Sequence, residues 1–305
     1  MKRSWLFSTI LAIGTVCSAA SAGEATLILT SGKIWTENPV QPQAQAVALD
    51  GTTILAVGDD AAIKKLAGPG TQLIDLAGRR VLPGFNDSHV HFLDGGGSLI
   101  GVPLGDANSP AEFKDRIAKF AQTLPKGAWL RNGNWDHERW QPAKLPDHAL
   151  IDAVSGDHPA LLWRLDGHMA LANAQALKMA GIDRNTKDPA GGAIERDKDG
   201  NPTGILKDAA ATLVEKVMPE LTPAERAAAL QAALDEAASH GVTSVQTMAD
   251  TPDDLTQPQM LETLQQFRRD GKLTIRVYAA MPLRQWKTLS AMMRRSRNWP
   301  APAPS

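Results

Sequence analysis

The residues that could do chemistry stand close together. In Val81-Leu82-Pro83-Gly84-Phe85-Asn86-Asp87-Ser88-His89-Val90-His91, two histidines lie two positions apart, directly after an apolar stretch that reads as a strand. Alternate residues of a strand share a face, so His89 and His91 point the same way. Two neutral imidazoles converging from one strand are half of a metal site. A divalent metal held there would bring the pKa of a bound water to about 7 and polarise a carbonyl. An arbitrary H-x-H is more often a pair of loop histidines bonded to backbone. The position of this pair, at the end of the first strand of an α/β segment, favours the metal. Gly95-Gly96-Gly97 after the pair leaves room for backbone close to a ligand, but lacks the spacing and helix start of a phosphate loop.

The remaining candidates carry weaker signals. His168, after a later strand, lines the pocket or is a hydrogen-bonded loop histidine. Asp166 beside it orients it or caps a helix over Ala172 to Ala180. Trp135, Trp140 and Trp163 fall near strand ends, where they wall an apolar pocket or pack in the core. Lys207 reads as a solvated lysine. His137, His148 and His158 read as surface or loop residues, and His240 as a helix-end residue that complements the dipole.

Positioning these groups needs a scaffold, and the pattern changes along the chain. Residues 25–80 look all-β, with strands at Leu27-Ile28-Leu29, Ala46–Leu49, Ile54–Val57 and Gln72–Leu76, an Asp50-Gly51 turn, and one short helix from Asp60 to Leu66. From Val81 strands alternate with helices, as in a parallel α/β arrangement. Ser109-Pro110-Ala111-Glu112 and Thr222-Pro223-Ala224-Glu225 are capping boxes with proline at the first helical position. Helices ending at Gly241 and Gly271 feed strands at Val242–Met248 and Leu273–Ala280. With Val81–His91, Ala128–Gly133 and Ala160–Leu165 these make five barrel-type strands. An insertion over 170–219 carries short helices and a Gly/Asp-rich hairpin.

Residues 1–22 read as a secretory signal: Lys2 and Arg3, an apolar core from Trp5 to Val16, and Ala20-Ser21-Ala22 as cleavage site. That implies a periplasmic or secreted bacterial protein, and the sole cysteine, Cys17, falls within the signal. The formal net charge is −1 with no basic block, which gives no support to nucleic-acid binding. No later apolar run is long enough for a membrane span. Residues 294–305, basic and then Pro/Ala-rich, form an irregular tail.

The run through His91 resembles the metal-dependent amidohydrolase superfamily, and within it the amidohydrolase-3 group that includes N-substituted formamide deformylases. Asn134-Trp135-Asp136 with Trp140, Leu165-Asp166-Gly167-His168 through Asn173, and Pro189-Ala190-Gly191-Gly192 through Leu206 carry the same resemblance over 23–285. It implies a (β/α)8 TIM-type barrel with a composite β-sandwich and one or two divalent ions, usually Zn, with His89 and His91 as first-strand ligands. It further implies a carboxylated lysine, two later histidines and a final-strand aspartate. After Ala280 the sequence has no histidine and no aspartate, so these ligands and the catalytic base are expected beyond residue 305.

The expectation is therefore an α/β protein. It would be an incomplete (β/α)8 TIM-type barrel of about five strands over 81–293, with a small N-terminal β-sandwich part over 23–80. Its activity would be hydrolysis of a carbon–nitrogen, amide- or formamide-like bond of a small molecule through metal-activated water. The alternatives are a truncated, catalytically silent remnant with weak metal binding, or one half of a split enzyme whose C-terminal half is a separate chain.

Overall fold

A computed structural model describes residues 24–248, 257–282, 285–287, 290, 291 and 294. The segment read as a signal, with Cys17, lies outside these residues, as do residues 295–305 of the expected tail. The described residues divide into two compact units, one up to Pro83 and one from Gly84 onward.

The first unit is β-rich, as its alternating pattern requires. Its elements are β1 (Ala25–Thr30), β2 (Lys33–Trp35), β3 (Gln43–Ala44), β4 (Ala46–Asp50), β5 (Thr53–Gly58), α1 (Asp60–Ile63), β6 (Ala67–Asp75) and β7 (Arg80–Val81). A four-stranded sheet runs β5-β4-β1-β6 and a three-stranded one β3-β2-β7. The Asp50-Gly51 turn forms as read: Asp50 pairs with Thr53, and Gly51 takes the left-handed φ of 50° that an L side chain resists. Asp59 caps α1 by accepting the Ala62 N–H at 2.7 Å. Ile28, Ala46, Ala48 and Ile63 form the core between sheet and helix.

The second unit opens with β8 (Phe85–Val90), α2 (Phe92–Leu99), α3 (Pro110–Ala121), β9 (Leu130–Trp135), α4 (Ala149–Ser155), β10 (Ala160–Arg164), β11 (Met169–Ala172) and α5 (Ala174–Met179). It continues through β12 (Gly192–Arg196), β13 (Pro202–Asp208), α6 (Thr212–Glu215), α7 (Pro223–Ser239), β14 (Val242–Thr247), α8 (Gln257–Arg269) and β15 (Arg276–Ala279). The strand expected over Val81–His91 is thus two strands. Val81 pairs with β2 in the first unit, and a Leu82-Pro83-Gly84 break separates it from β8.

The five expected strands all form, but their pairing divides them between two sheets. Among the described residues β8, β14 and β15 share the parallel sheet that carries the histidine pair, in the order β15-β14-β8. The strands expected at 128–133 and 160–165 form as β9 and β10, but they sit in a separate five-stranded sheet, β12-β13-β11-β10-β9. The segment read as an insertion over 170–219 is therefore the other half of a sheet that starts at Leu130. β8 meets its partner β14 only after this whole sheet has intervened.

Each sheet has its own core. In the inserted sheet, alternation sends Leu162, Leu171 and Ile205 into one cluster with Phe113, Ile117, Trp135, Trp140 and Ile151. Leu161, Ala170, Ala172 and Leu206 go to the opposite face with Leu177 and Val214. The three-stranded sheet packs Val245 against Leu230 and Leu234 of α7 and Met260, Leu264 and Phe267 of α8. Thr222 makes the full capping box: its side chain accepts the Glu225 N–H, and Glu225 accepts the Thr222 N–H at 2.7 Å. At Ser109 only half the box forms, because Glu112 reaches the Asn108 N–H instead.

Candidate metal centre

The histidine pair sits where β8 turns into α2. The strand ends at Val90, so His91 is the residue that starts the helix, with φ −93° and ψ 80°. Its carbonyl accepts the Gly95 N–H at 2.7 Å. The neighbouring strand fixes this junction: Met248 N–H donates to Val90 O at 2.9 Å, and Phe92 N–H donates to the buried hydroxyl of Thr247 at 3.2 Å. Asp87 accepts the His89 N–H at 3.0 Å, which stiffens the backbone between them.

The structure brings the two imidazoles together as the spacing predicts. Their ring centroids are 5.6 Å apart, at 69° to one another. His89 is exposed, and His91 is half-buried with Nδ1 shielded from solvent. Imidazole nitrogens bind zinc at about 2.0–2.1 Å, so two rings this close fit one divalent ion as two of its ligands. Among the described residues no group of three or more His, Cys, Asp or Glu side chains is arranged to hold a metal ion. The pair thus fits a divalent ion as a partial donor set.

The glycine run has a different role from the one expected. Gly95, Gly96 and Gly97 lie inside α2, where Gly96 meets α7 so closely that a Cβ would overlap the Ala229 carbonyl and come within 3.1 Å of the Ala233 Cβ. Gly96 thus lets α2 approach α7 closely and seats the helix that begins at His91. Asn132 ties the other end of α2 to the inserted sheet, its side-chain amide donating to Gly97 O at 2.8 Å. Asn132, Gly133 and Asn134 take φ values of 63°, 122° and 52° in succession, which Gly and Asn tolerate best.

His168 and Asp166 come together in the connection between β10 and β11, at one end of the inserted sheet's strands. Asp166 accepts the His168 N–H at 3.1 Å and pairs with Arg164, while the His168 Nδ1 lies 2.9 Å from Asp208 Oδ1. That carboxylate raises the His168 pKa above the ordinary value by hydrogen bond and charge together. Burial pushes Asp166 up, but the His168 N–H and Arg164 outweigh it and hold the carboxyl below its usual value. Asp208, with φ 47°, is the residue the sequence did not single out; no motif marks it. Asp166 does not cap the next helix. Residues 169–172 are β11, and Asn173 caps α5 instead, accepting the Ala176 N–H at 2.9 Å.

Other candidates resolve as core or surface. Trp135 is fully buried, edge-on to Phe113, with its indole N–H donated to Leu162 O at 2.6 Å, so it does not line a pocket. Trp140 is likewise buried and donates to Ala107 O at 3.0 Å. His137 and His158, read as surface or loop residues, are buried, and His158 lies in the loop between α4 and β10 with its Nδ1 2.8 Å from Ala128 O. Lys207 is paired with Glu195 at 2.7 Å. A cleft of about 400 Å³ lined by His148, Leu177, Lys178 and Asn201 opens on the inserted sheet, and none of His89, His91, Asp166 or His168 lines it. No helix among the described residues is long and apolar enough to cross a membrane.

A histidine pair at the end of a parallel strand, within a mixed α/β unit, belongs to a known class of hydrolase scaffold. The chain is a member of the amidohydrolase family: the amidohydrolase-3 family profile matches residues 72–304. It is 36% identical over 269 residues to Protein LONG AFTER FAR-RED 3 of Arabidopsis thaliana, covering 87% of this chain and 46% of that one. It is 31% identical over 193 residues to N-substituted formamide deformylase of Arthrobacter pascens, covering 62% and 35% respectively. Among solved structures, an uncharacterized metal-dependent hydrolase from Pyrococcus horikoshii OT3 superposes with a TM-score of 0.65 at 26% identity, covering 87% of this chain and 50% of that one. The chain therefore spans half or less of the length of each of these relatives.

Proposed function

We propose that the chain carries the first-strand part of a metal-dependent hydrolase acting on carbon–nitrogen bonds of small amide- or formamide-like molecules. The observation that carries this is the His89–His91 pair, 5.6 Å between ring centroids, at the end of β8. The two imidazoles would hold a divalent ion, with zinc the ion their nitrogen donors suit. Bound there, such an ion supplies Lewis acidity to water and to the scissile carbonyl. The deformylase relative supplies the bond type, and the hydrolase relatives the metal. Residues 1–22 would direct the protein out of the cytoplasm.

A second reading follows from the two-membered donor set: a silent remnant with weak metal binding, or one half of a split enzyme that works with a separate C-terminal half. One experiment separates the readings. The full chain is equilibrated with zinc, its metal content measured, and hydrolysis of formamides and acyl amides assayed. The enzyme reading expects zinc-dependent turnover that disappears in His89→Ala and His91→Ala, together with loss of bound zinc. Zinc binding without turnover supports the remnant, and turnover restored by adding the missing half supports the split enzyme. Equal zinc content in wild type and both variants would overturn the assignment of the ligands.

A further inference from the structure

His91 stands at the N-cap of α2, yet its side chain makes no capping bond. Elsewhere a residue suited to the task performs it: Asp59, Ser109, Asn173 and Thr222 each accept a backbone N–H at the start of their own helix. In α2 the acceptor comes from another strand. Thr247, at the end of β14, takes the Phe92 N–H on its hydroxyl at 3.2 Å. The hydroxyl hydrogen is directed to the Met260 sulfur on α8, 4.0 Å away. Thr247 is wholly buried, in the sheet whose core is built from Val245, Leu230, Met260 and Leu264. A hydroxyl is costly in such a place unless it is bonded. Valine would fill the same volume, so the hydroxyl and not the bulk distinguishes this position.

The next residue completes the grip. Met248 N–H donates to Val90 O at 2.9 Å, and Thr247 lies opposite Val90 in the β14–β8 register. Consecutive residues of one chain segment therefore hold His91 from both sides, at Val90 and at Phe92. Its φ of −93° and ψ of 80° belong to neither strand nor helix, so the repeating structure of β8 and α2 does not set them. A small change in these angles would swing its imidazole away from that of His89, 5.6 Å off between centroids. His89 is placed independently, inside β8, with its N–H on Asp87. We propose that Thr247 is the positioning residue of the metal pair. Its hydroxyl caps α2 in place of the His91 side chain, which leaves that side chain to act as a ligand while the start of the helix stays satisfied. The assignment rests on reading His89 and His91 as metal ligands.

The test uses the full chain and zinc. Affinities are read by competition with a chromophoric chelator and corrected for the folded fraction of each variant, measured by circular dichroism. Thr247→Val and Thr247→Ala should each weaken zinc binding about tenfold, the usual effect of removing a group that orients a ligand. Thr247→Ser, close to alanine in size but with the hydroxyl kept, should bind zinc as the wild type does. Thr and Val are matched in size, and so are Ser and Ala, so either pair decides the matter if a member of the other does not fold. In a His91→Ala background, where zinc rests on His89 alone, Thr247→Val should cause no further loss. Unchanged affinity in the variants without the hydroxyl overturns the proposal. Equal losses in Thr247→Ser and Thr247→Ala, or a further loss on top of His91→Ala, do the same. The metal reading fails separately: a wild-type chain that takes up no zinc, or holds it equally after His89→Ala and His91→Ala, removes that reading and this proposal with it. Loss of zinc in both histidine variants with wild-type affinity in Thr247→Val keeps that reading and removes the positioning role alone.

Discussion

His91 and His168 obtain their orientation by different means. His91 is placed by backbone, as the residue between β8 and α2, whereas His168 is placed by carboxylates. The second arrangement has a measurable signature in pH. Asp208 raises the His168 pKa above the ordinary 6.5. The folded-state value being the higher one, the pairing stabilises fully below the unfolded pKa and is lost as pH rises through the folded value. An NMR titration should place the His168 midpoint above ordinary histidine, and Asp208→Asn should return it toward 6.5. Asp183 and Asp197 behave oppositely. The N–H groups of Asn185 and Asn201 lower their pKa values, so their contribution is present above the ordinary carboxylate range and lost on acidification. The nearness of the H-x-H pair was legible in the sequence because the two histidines are only two residues apart, although His91 lies just past the end of β8. Asp208 was not, because its partner is 40 residues away and only the β11–β13 pairing brings them together. Trp135 was left between pocket and core for a related reason: a strand-end aromatic faces one or the other according to which sheet the strand joins, and it packs in the core.

Among the elements, local chemistry was readable and partner choice was not. Thr222 and Ser109 both cap helices as their spacing predicts, since a cap depends on residues within one turn. An apolar run such as Ala160 to Trp163 announces a strand, yet nothing in the run says which sheet will receive it. The glycines of α2 show the same limit, because the need for Gly96 arises from Ala229, on another helix. Gly96→Ala should destabilise the protein by about 1–3 kcal/mol through forced overpacking. Gly95→Ala, at an exposed helical position with no atom within 4 Å of the new methyl, should stabilise it by about 0.5–1 kcal/mol. Urea denaturation of the two variants checks both signs, and a shared sign would refute the packing account. If α2 seats His91 as described, Gly96→Ala should also lower zinc affinity while Gly95→Ala leaves it unchanged.

For the molecule as a whole, a ligand that binds only the folded state shifts the folding equilibrium by mass action. Zinc at 100 times its dissociation constant should add about 2.7 kcal/mol to the stability of the unit that holds the histidines. A thermal scan with and without zinc checks this, and the gain should vanish in His91→Ala. The sequence announced the α/β character of this unit, but an alternation of strands and helices fits one five-stranded array as well as two sheets. The choice was made by the pairing of β8 with β14, which no local pattern encodes.

That pairing has a consequence for how the chain is made. Phe92 and Thr247, joined by a hydrogen bond, are 155 residues apart in sequence. At about 5–20 residues per second of synthesis, the strand bearing the histidines leaves the ribosome roughly eight to thirty seconds before the strand that receives it. During that wait β9 to β13 can complete their own sheet and core, whereas β8 remains a nascent strand with its edge unclaimed.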